Sequence, residues 1–273
     1  MTAGRKVTEP DLETLERCAA AYEKRLVPAL FAPWTETLLE AARIRPGQRA
    51  LDVACGTGVL ARAAAARIGP GGSVAGLDPN PGMLKLAAQI APEVEWRRGL
   101  AEALPYRDRT FDAVLSQFGM MFFGARAEAL REMRRVLAEG GRLAAAVFDR
   151  PAEPEAQAAL EEIYVRHAGA TAAAFLQQPY CLADPPALAA AFEAAGFAEV
   201  AVTRRVGRAR FASVRDLVLS DVEAWFPLAG LALEPATAEA LVADAEAAFA
   251  PQVAPGEAVE IPVPALIVTA VKE

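Results

Sequence analysis

Residues 49–61 read RALDVACGTGVLA. Ala50, Leu51, Val53 and Ala54 form a short apolar run of the kind that makes a buried strand, and the chain then enters an alanine-rich helix through Gly56-Thr57-Gly58. A strand handed to a helix through two glycines presents bare backbone N–H groups and a helix N-terminus to whatever lies above the sheet edge. The stretch therefore predicts an open α/β sheet with a nucleotide-type ligand over its carboxyl edge. Asp52 stands inside the strand end, where a pyrophosphate cradle would carry a small or apolar residue, so its acid is expected to face the ligand and to suit a cation. Residues 73–78, SVAGLD, read as a second strand ending in Asp78. That is about 20 positions past the glycine turn, where an acid accepts hydrogen bonds from ribose hydroxyls.

Four segments follow one another in order: LDVACGTG, GLDPNPGMLKLA, GLAEALPYRDRTFDAVLSQFGMMFF and EMRRVLAEGGRLAAAVFD, together spanning residues 51–149. In register they resemble the class I S-adenosylmethionine-dependent methyltransferases, and within them the small-molecule branch that includes quinone-biosynthesis methyltransferases. The resemblance implies an α/β fold, a Rossmann-like seven-stranded methyltransferase sheet with helices on both faces. It implies S-adenosyl-L-methionine as cofactor and S-adenosyl-L-homocysteine as product. By the same resemblance Gly56, Thr57 and Gly58 pass beneath the methionine moiety, with Asp52 beside them, and Asp78 takes the ribose hydroxyls. Leu100 and Ala101 border the adenine, Pro79 and Met83 flank it, and Gln117 faces the sulfonium and amino-acid side. Leu100 departs from the family pattern, which often has Asp or Asn there to accept from the adenine amino group. Leucine has no acceptor, so that contact falls to backbone, to Glu102 or to water.

Composition narrows the function classes. At 273 residues the chain can bury a substantial core as one large domain or as a core with an inserted cap. It has no run of about 18 strongly apolar residues and no apolar leader, so no membrane insertion and a cytoplasmic location are expected. Three cysteines and a single histidine, His167, supply neither a disulfide framework nor a metal site. The net charge of −7 is uneven: residues 1–150 hold 21 basic and 18 acidic side chains, residues 151–273 hold 7 and 17. An acidic second half discourages a nucleic-acid partner and leaves a small-molecule acceptor, with homo-oligomerisation open.

Periodicity divides the chain into an N-terminal helical cap (1–43), a cofactor-binding core (44–150), a helical segment returning to the sheet (151–212), a helical lid insertion (213–255) and a final strand (256–273). The cap is expected as a helix over 10–26, a turn after Val27-Pro28 through Phe31-Ala32-Pro33-Trp34, and a second helix over 35–43, with Tyr22 and Trp34 as pocket candidates or core residues. Strands are expected near 49–54, 73–77, 94–97, 112–116 and 142–148, and helices near 58–67, 81–90 and 126–138, the last stopped by Gly140-Gly141.

Methyl transfer from a sulfonium is an in-line displacement, so the protein mainly holds donor and acceptor aligned, and catalytic residues leave little trace in sequence. His167 is the base candidate, with Asp149, Tyr164, Tyr180 and Asp184 as rivals. The stretch FGMMFF at 118–123 either lines an apolar acceptor pocket or packs the next helix. Arg204, Arg208 and Arg210 share one strand face, for an anionic acceptor or for solvent. The leading reading is methylation of an oxygen or carbon on a small apolar or aromatic acceptor. The alternatives are a non-catalytic S-adenosylmethionine-binding protein and an NAD(P)-dependent oxidoreductase, since GTGVLA also satisfies G-x-G-x-x-A. Asp52 before the turn and the lack of a Tyr-x-x-x-Lys pair stand against the latter.

Overall fold

The computed structural model describes residues 10–273 apart from 153, 252 and 255. Seven strands form one sheet: β1 (Arg49–Val53), β2 (Ser73–Asp78), β3 (Glu95–Arg98), β4 (Phe111–Gln117), β5 (Leu137–Phe148), β6 (Ala198–Phe211) and β7 (Val259–Val271), in the order β3-β2-β1-β4-β5-β7-β6. The first five pair in parallel, and β7 runs antiparallel to both β5 and β6. The strand order reverses between β1 and β4, so the carboxyl ends of these two strands open the crevice in which open α/β sheets bind ligands.

Alternation along β1 explains the layering. Ala50 packs into one apolar cluster with Leu60 and Leu115, while Leu51 and Val53 point to a second cluster with Met133 and Phe192. Helices cover both faces, α3 (Val59–Ile68) over the first cluster and α5 (Arg126–Val136) and α8 (Pro185–Ala194) over the second. α4 (Pro81–Ile90) starts where Asn80 accepts from the N–H groups of Gly82 and Met83 and Pro81 fills the first helical position. Among the described residues no helix is long and apolar enough to cross a membrane.

Two expectations need correcting. The N-terminal helix does not end at Leu26: α1 (Leu12–Ala21) continues as a wider π-helical stretch, Tyr22–Phe31, that carries Pro28 inside it, and the expected turn falls at Ala32–Trp34. That stretch packs its buried Leu26, Val27, Ala29 and Phe31 into the core, and α2 (Thr35–Ala41) follows after one turn. Burial of this apolar side outweighs the loss of one N–H donor at proline. Likewise α5 ends at Val136, and Gly140-Gly141 lie inside β5, at a register break between Phe111 and Ala113 of β4. There Gly140, at φ 72, lets the strand bulge instead of stopping a helix.

The segment 151–197 holds α6 (Pro154–Ala168), α7 (Ala170–Gln177) and α8. Between β6 and β7 come α9 (Val214–Ser220), a π-helical turn Asp221–Trp225, and α10 (Pro235–Phe249). This insertion buries Val218, Trp225, Phe226 and Leu241 in the same cluster as the N-terminal helices.

Candidate functional site

β1 and β4 both end on non-glycine residues with left-handed backbone, Ala54 (φ 59) and Phe118 (φ 53). The two ends are pressed together: a Cβ on Gly119 would lie 2.5 Å from Cβ of Ala54. Backbone held in this way costs about 1–3 kcal/mol per residue and clusters at ligand sites.

Above them the glycine turn is fixed from two sides. The Asp78 carboxylate, at the end of β2, accepts the Gly56 N–H through Oδ2 and the Asn80 N–H through Oδ1, both at 2.9 Å. Burial pushes Asp78 up to about 6, against the pull of those two N–H groups. From the other side the Arg62 guanidinium reaches the Thr57 carbonyl at 2.6 Å and Glu23 of the π-helical stretch at 2.8 Å. Gly56 (φ 55) lies beneath the Tyr22 ring, whose hydroxyl would stand 3.6 Å from a Cβ there. Gly58 (φ 86) has a different reason to be glycine. A Cβ at Gly58 would come within 2.2 Å of the Trp96 ring, and one at Gly76 within 2.4 Å. Trp96 therefore needs both glycines, and nothing in its surroundings in sequence announces this.

Asp52 is taken up by the helix that follows it. It is 1% exposed, and its Oδ2 accepts the Ala61 N–H at 3.1 Å. α3 begins on Gly58, which has no capping side chain, so Asp52 supplies from the strand the acceptor that the helix start lacks. Its Oδ1 is buried without a partner, and burial, with the nearby Asp78 charge adding to it, pushes the carboxyl up to about 8. Glu102, one suggested adenine partner, instead accepts the Ala125 N–H at the start of α5 at 3.1 Å.

The remaining candidates divide. Gln117 donates to the Phe31 carbonyl at 2.9 Å and leaves its own Oε1 buried without a partner; Thr57 Oγ1 is likewise unpartnered. Leu100 follows Gly99, whose N–H meets the Asp78 carbonyl, and is 57% exposed, an apolar side chain standing open beside the turn. Pro79 is exposed, Ala101 is buried, and Met83 is buried between α1 and α4 against Cys18 and Ala19. The described side chains fit an adenosyl group: Asp78 keeps a lone pair free on each oxygen, Gln117 offers an orphaned acceptor, and Leu100 offers an apolar face.

A row of aromatic rings leads away from the turn. Tyr22 stacks on Phe31 (5.1 Å between centroids), Phe31 meets Phe118 (6.0 Å), Phe118 stacks on Phe148 (4.1 Å), and Phe148 meets Tyr180 (6.4 Å). Trp34 packs edge-on against Phe118. The row ends at a cavity of about 560 Å³, walled by Leu26 and Leu30 of the cap, Leu160 and Leu176 of α6 and α7, and Phe211 and Trp225. In 118–123, Met120 and Met121 pack in the core, while Phe122 is half exposed against Trp225.

His167 does not line this cavity. Its Nε2 lies 2.9 Å from Asp244, which Arg166 also holds. Asp184 caps α8 through Ala187, and Asp149 pairs with Arg204. Arg208 and Arg210 face Glu260 from an exposed strand face. Of the rivals, Tyr180 lines the cavity beside Asp221, and Tyr164 is bonded to that acid. Asp221 was not singled out by the sequence, because its partner lies 57 residues away.

A methyltransferase-domain family model matches residues 51–145. The 2-phytyl-1,4-naphtoquinone methyltransferase of Thermosynechococcus vestitus is 33% identical over 201 residues, covering 68% of this chain and 89% of that protein. The chain belongs to the class I S-adenosylmethionine-dependent methyltransferase family. The ubiquinone/menaquinone biosynthesis C-methyltransferase UbiE of Ectopseudomonas mendocina is 37% identical over 151 residues, and here the match spans only 59% of the relative. Among solved structures, Haemonchus contortus phosphoethanolamine N-methyltransferase 2, in complex with phosphomonomethylethanolamine and S-adenosylhomocysteine, superposes with a TM-score of 0.61. It is 18% identical, and the match covers all of this chain and 60% of that one, which supports the methyltransferase fold.

Two outcomes follow from this site. Asp78→Ala should weaken S-adenosylhomocysteine binding by about 1.5–3 kcal/mol, the scale of hydrogen bonds to a charged group; calorimetry showing unchanged affinity would remove Asp78 from the ribose. Asp52 has a folded pKa of about 8 against an ordinary value of 3.8, so its contribution to stability is present at low pH and is lost as pH rises through about 8. Asp52→Asn keeps the acceptor for Ala61 and should reduce the fall in urea stability across that window by at least about 1.4 kcal/mol, one pKa unit. Parallel pH profiles of the two proteins would contradict the burial of the charge.

Proposed function

We propose that this protein transfers a methyl group from S-adenosylmethionine to an oxygen or carbon of a small, apolar or aromatic acceptor held in the 560 Å³ cavity. The observation that carries this reading is the continuous aromatic row from the glycine turn, where Asp78 holds Gly56, to an apolar cavity of drug-like size. When bound, the cofactor supplies an electrophilic methyl on a sulfonium. Asp78 binds and orients its ribose, and Gln117 and Tyr22 flank its amino-acid end. The apolar rings exclude water from the path of transfer, so the chain contributes chiefly alignment. The insertion between β6 and β7 acts as the lid of the acceptor site, because Trp225 and Phe249 form part of the cavity wall.

Names of relatives point the same way: both curated ones cited act on quinone-type molecules, which are ring systems with large apolar surfaces. The three cysteines are unbridged, which supports action in a reducing, cytoplasmic compartment.

The reading is tested by incubating the purified protein with S-adenosylmethionine carrying a labelled methyl group and a panel of reduced naphthoquinones and phenols. Label in an organic-extractable product, lost in Asp78→Ala, is expected. Cofactor binding without label transfer to any ring acceptor, while a soluble amine is methylated, would overturn the acceptor class.

A further inference from the structure

Methyl transfer by alignment uses the cavity's apolar walls and leaves one partly buried acid without a role. Asp221 opens the π-helical turn after α9 and lines the cavity together with Leu160 and Leu176. Tyr164, fully buried on α6, donates its hydroxyl to Asp221 Oδ2 at 2.6 Å. The second carboxylate oxygen receives no hydrogen bond among the described residues. A carboxyl among apolar walls is costly unless its lone pairs are used. Packing against Leu, Phe and Trp side chains alone gives the acid no reason to be there.

We propose that Asp221, held by Tyr164, is the polar anchor of the acceptor cavity and accepts the hydrogen of a hydroxyl group on an otherwise apolar ring system. This rests on the acceptor reading of the cavity. Donor counting favours a hydroxyl over an ammonium. A hydroxyl has one hydrogen to place, and one carboxylate oxygen is open for it. An ammonium brings three hydrogens, more than that one open oxygen takes up.

The charged and titratable groups around Asp221 are Tyr180 with Glu161 near it, Arg210 on β6 and Glu260 on β7, and, on the packed cap, Arg25, which is taken up by Asp216 and Glu223. Burial pushes Asp221 up to about 7, and the Tyr164 hydrogen bond pulls it back. The anchor is therefore ionised above neutrality and weakens as pH falls through that value.

The test is fluorescence titration of the full chain, without methyl donor, using 1-naphthol, 1-methoxynaphthalene and 1-naphthylmethylamine. At pH 8, 1-naphthol is expected to bind at least about tenfold more tightly than its methyl ether, the factor that a hydrogen bond to a charged group supplies. Asp221→Leu should abolish that preference without weakening the ether. Tyr164→Phe should keep the preference and move the pH midpoint of naphthol binding upward, a shift that a merely structural tyrosine would not produce. Equal affinity for the three probes, tighter binding of the amine, binding of none, or a preference that survives Asp221→Leu would overturn the proposal. Because no methyl donor is present, these outcomes are independent of S-adenosylhomocysteine binding, whose failure would instead remove the transfer reading.

Discussion

The hydrogen bond from the Gly56 amide to the Asp78 carboxylate joins the carboxyl ends of β1 and β2, and most of the site's geometry depends on it. It holds the turn in a conformation that glycine alone adopts freely, and it leaves lone pairs of a buried acid open toward the crevice. The same turn is supported from below by Trp96, whose ring occupies the space that side chains at Gly58 and Gly76 would fill. It is supported from the side by Asp52, which serves the backbone of α3. The two acids, in β1 and at the end of β2, thus have separate tasks in the fold: one maintains the helix start, the other holds the glycine turn.

Around this centre the cap and the insertion form one body. The π-helical stretch of the cap places Tyr22 above Gly56 and Arg25 between Asp216 and Glu223 of the insertion. Cys18 donates to the Ala224 carbonyl at 2.9 Å, a further link between the two. The aromatic row from Tyr22 to Tyr180 crosses this body and joins the glycine turn to the cavity.

Much of the core was legible in sequence because it is written in local terms. Strand runs, the glycine turn and the acid at the end of β2 are each contained within a few residues, and β1, β2 and α4 stand where periodicity puts them. Local reading failed where tertiary packing decided. Pro28 lies inside a helix because the apolar side of its segment is buried, and Gly140-Gly141 bend a strand paired with β4 instead of ending a helix. At the site, Asp52 has the appearance of a ligand-facing acid, yet its partner is the N–H of Ala61 on the following helix. The cavity was least legible of all. Its walls come from the cap, α6, α7, β6 and the insertion, and the Tyr164–Asp221 pair joins residues that no spacing rule connects.

The central claim is that the glycine turn and Asp78 form an adenosyl site of the methyltransferase kind and not a pyrophosphate cradle. It is tested most directly by calorimetric titration of the protein with S-adenosylhomocysteine and NADP in parallel. Micromolar binding of S-adenosylhomocysteine with no heat from NADP is the predicted result. Binding of NADP alone would contradict the account of the turn, of Asp78 and of the chemistry built on them.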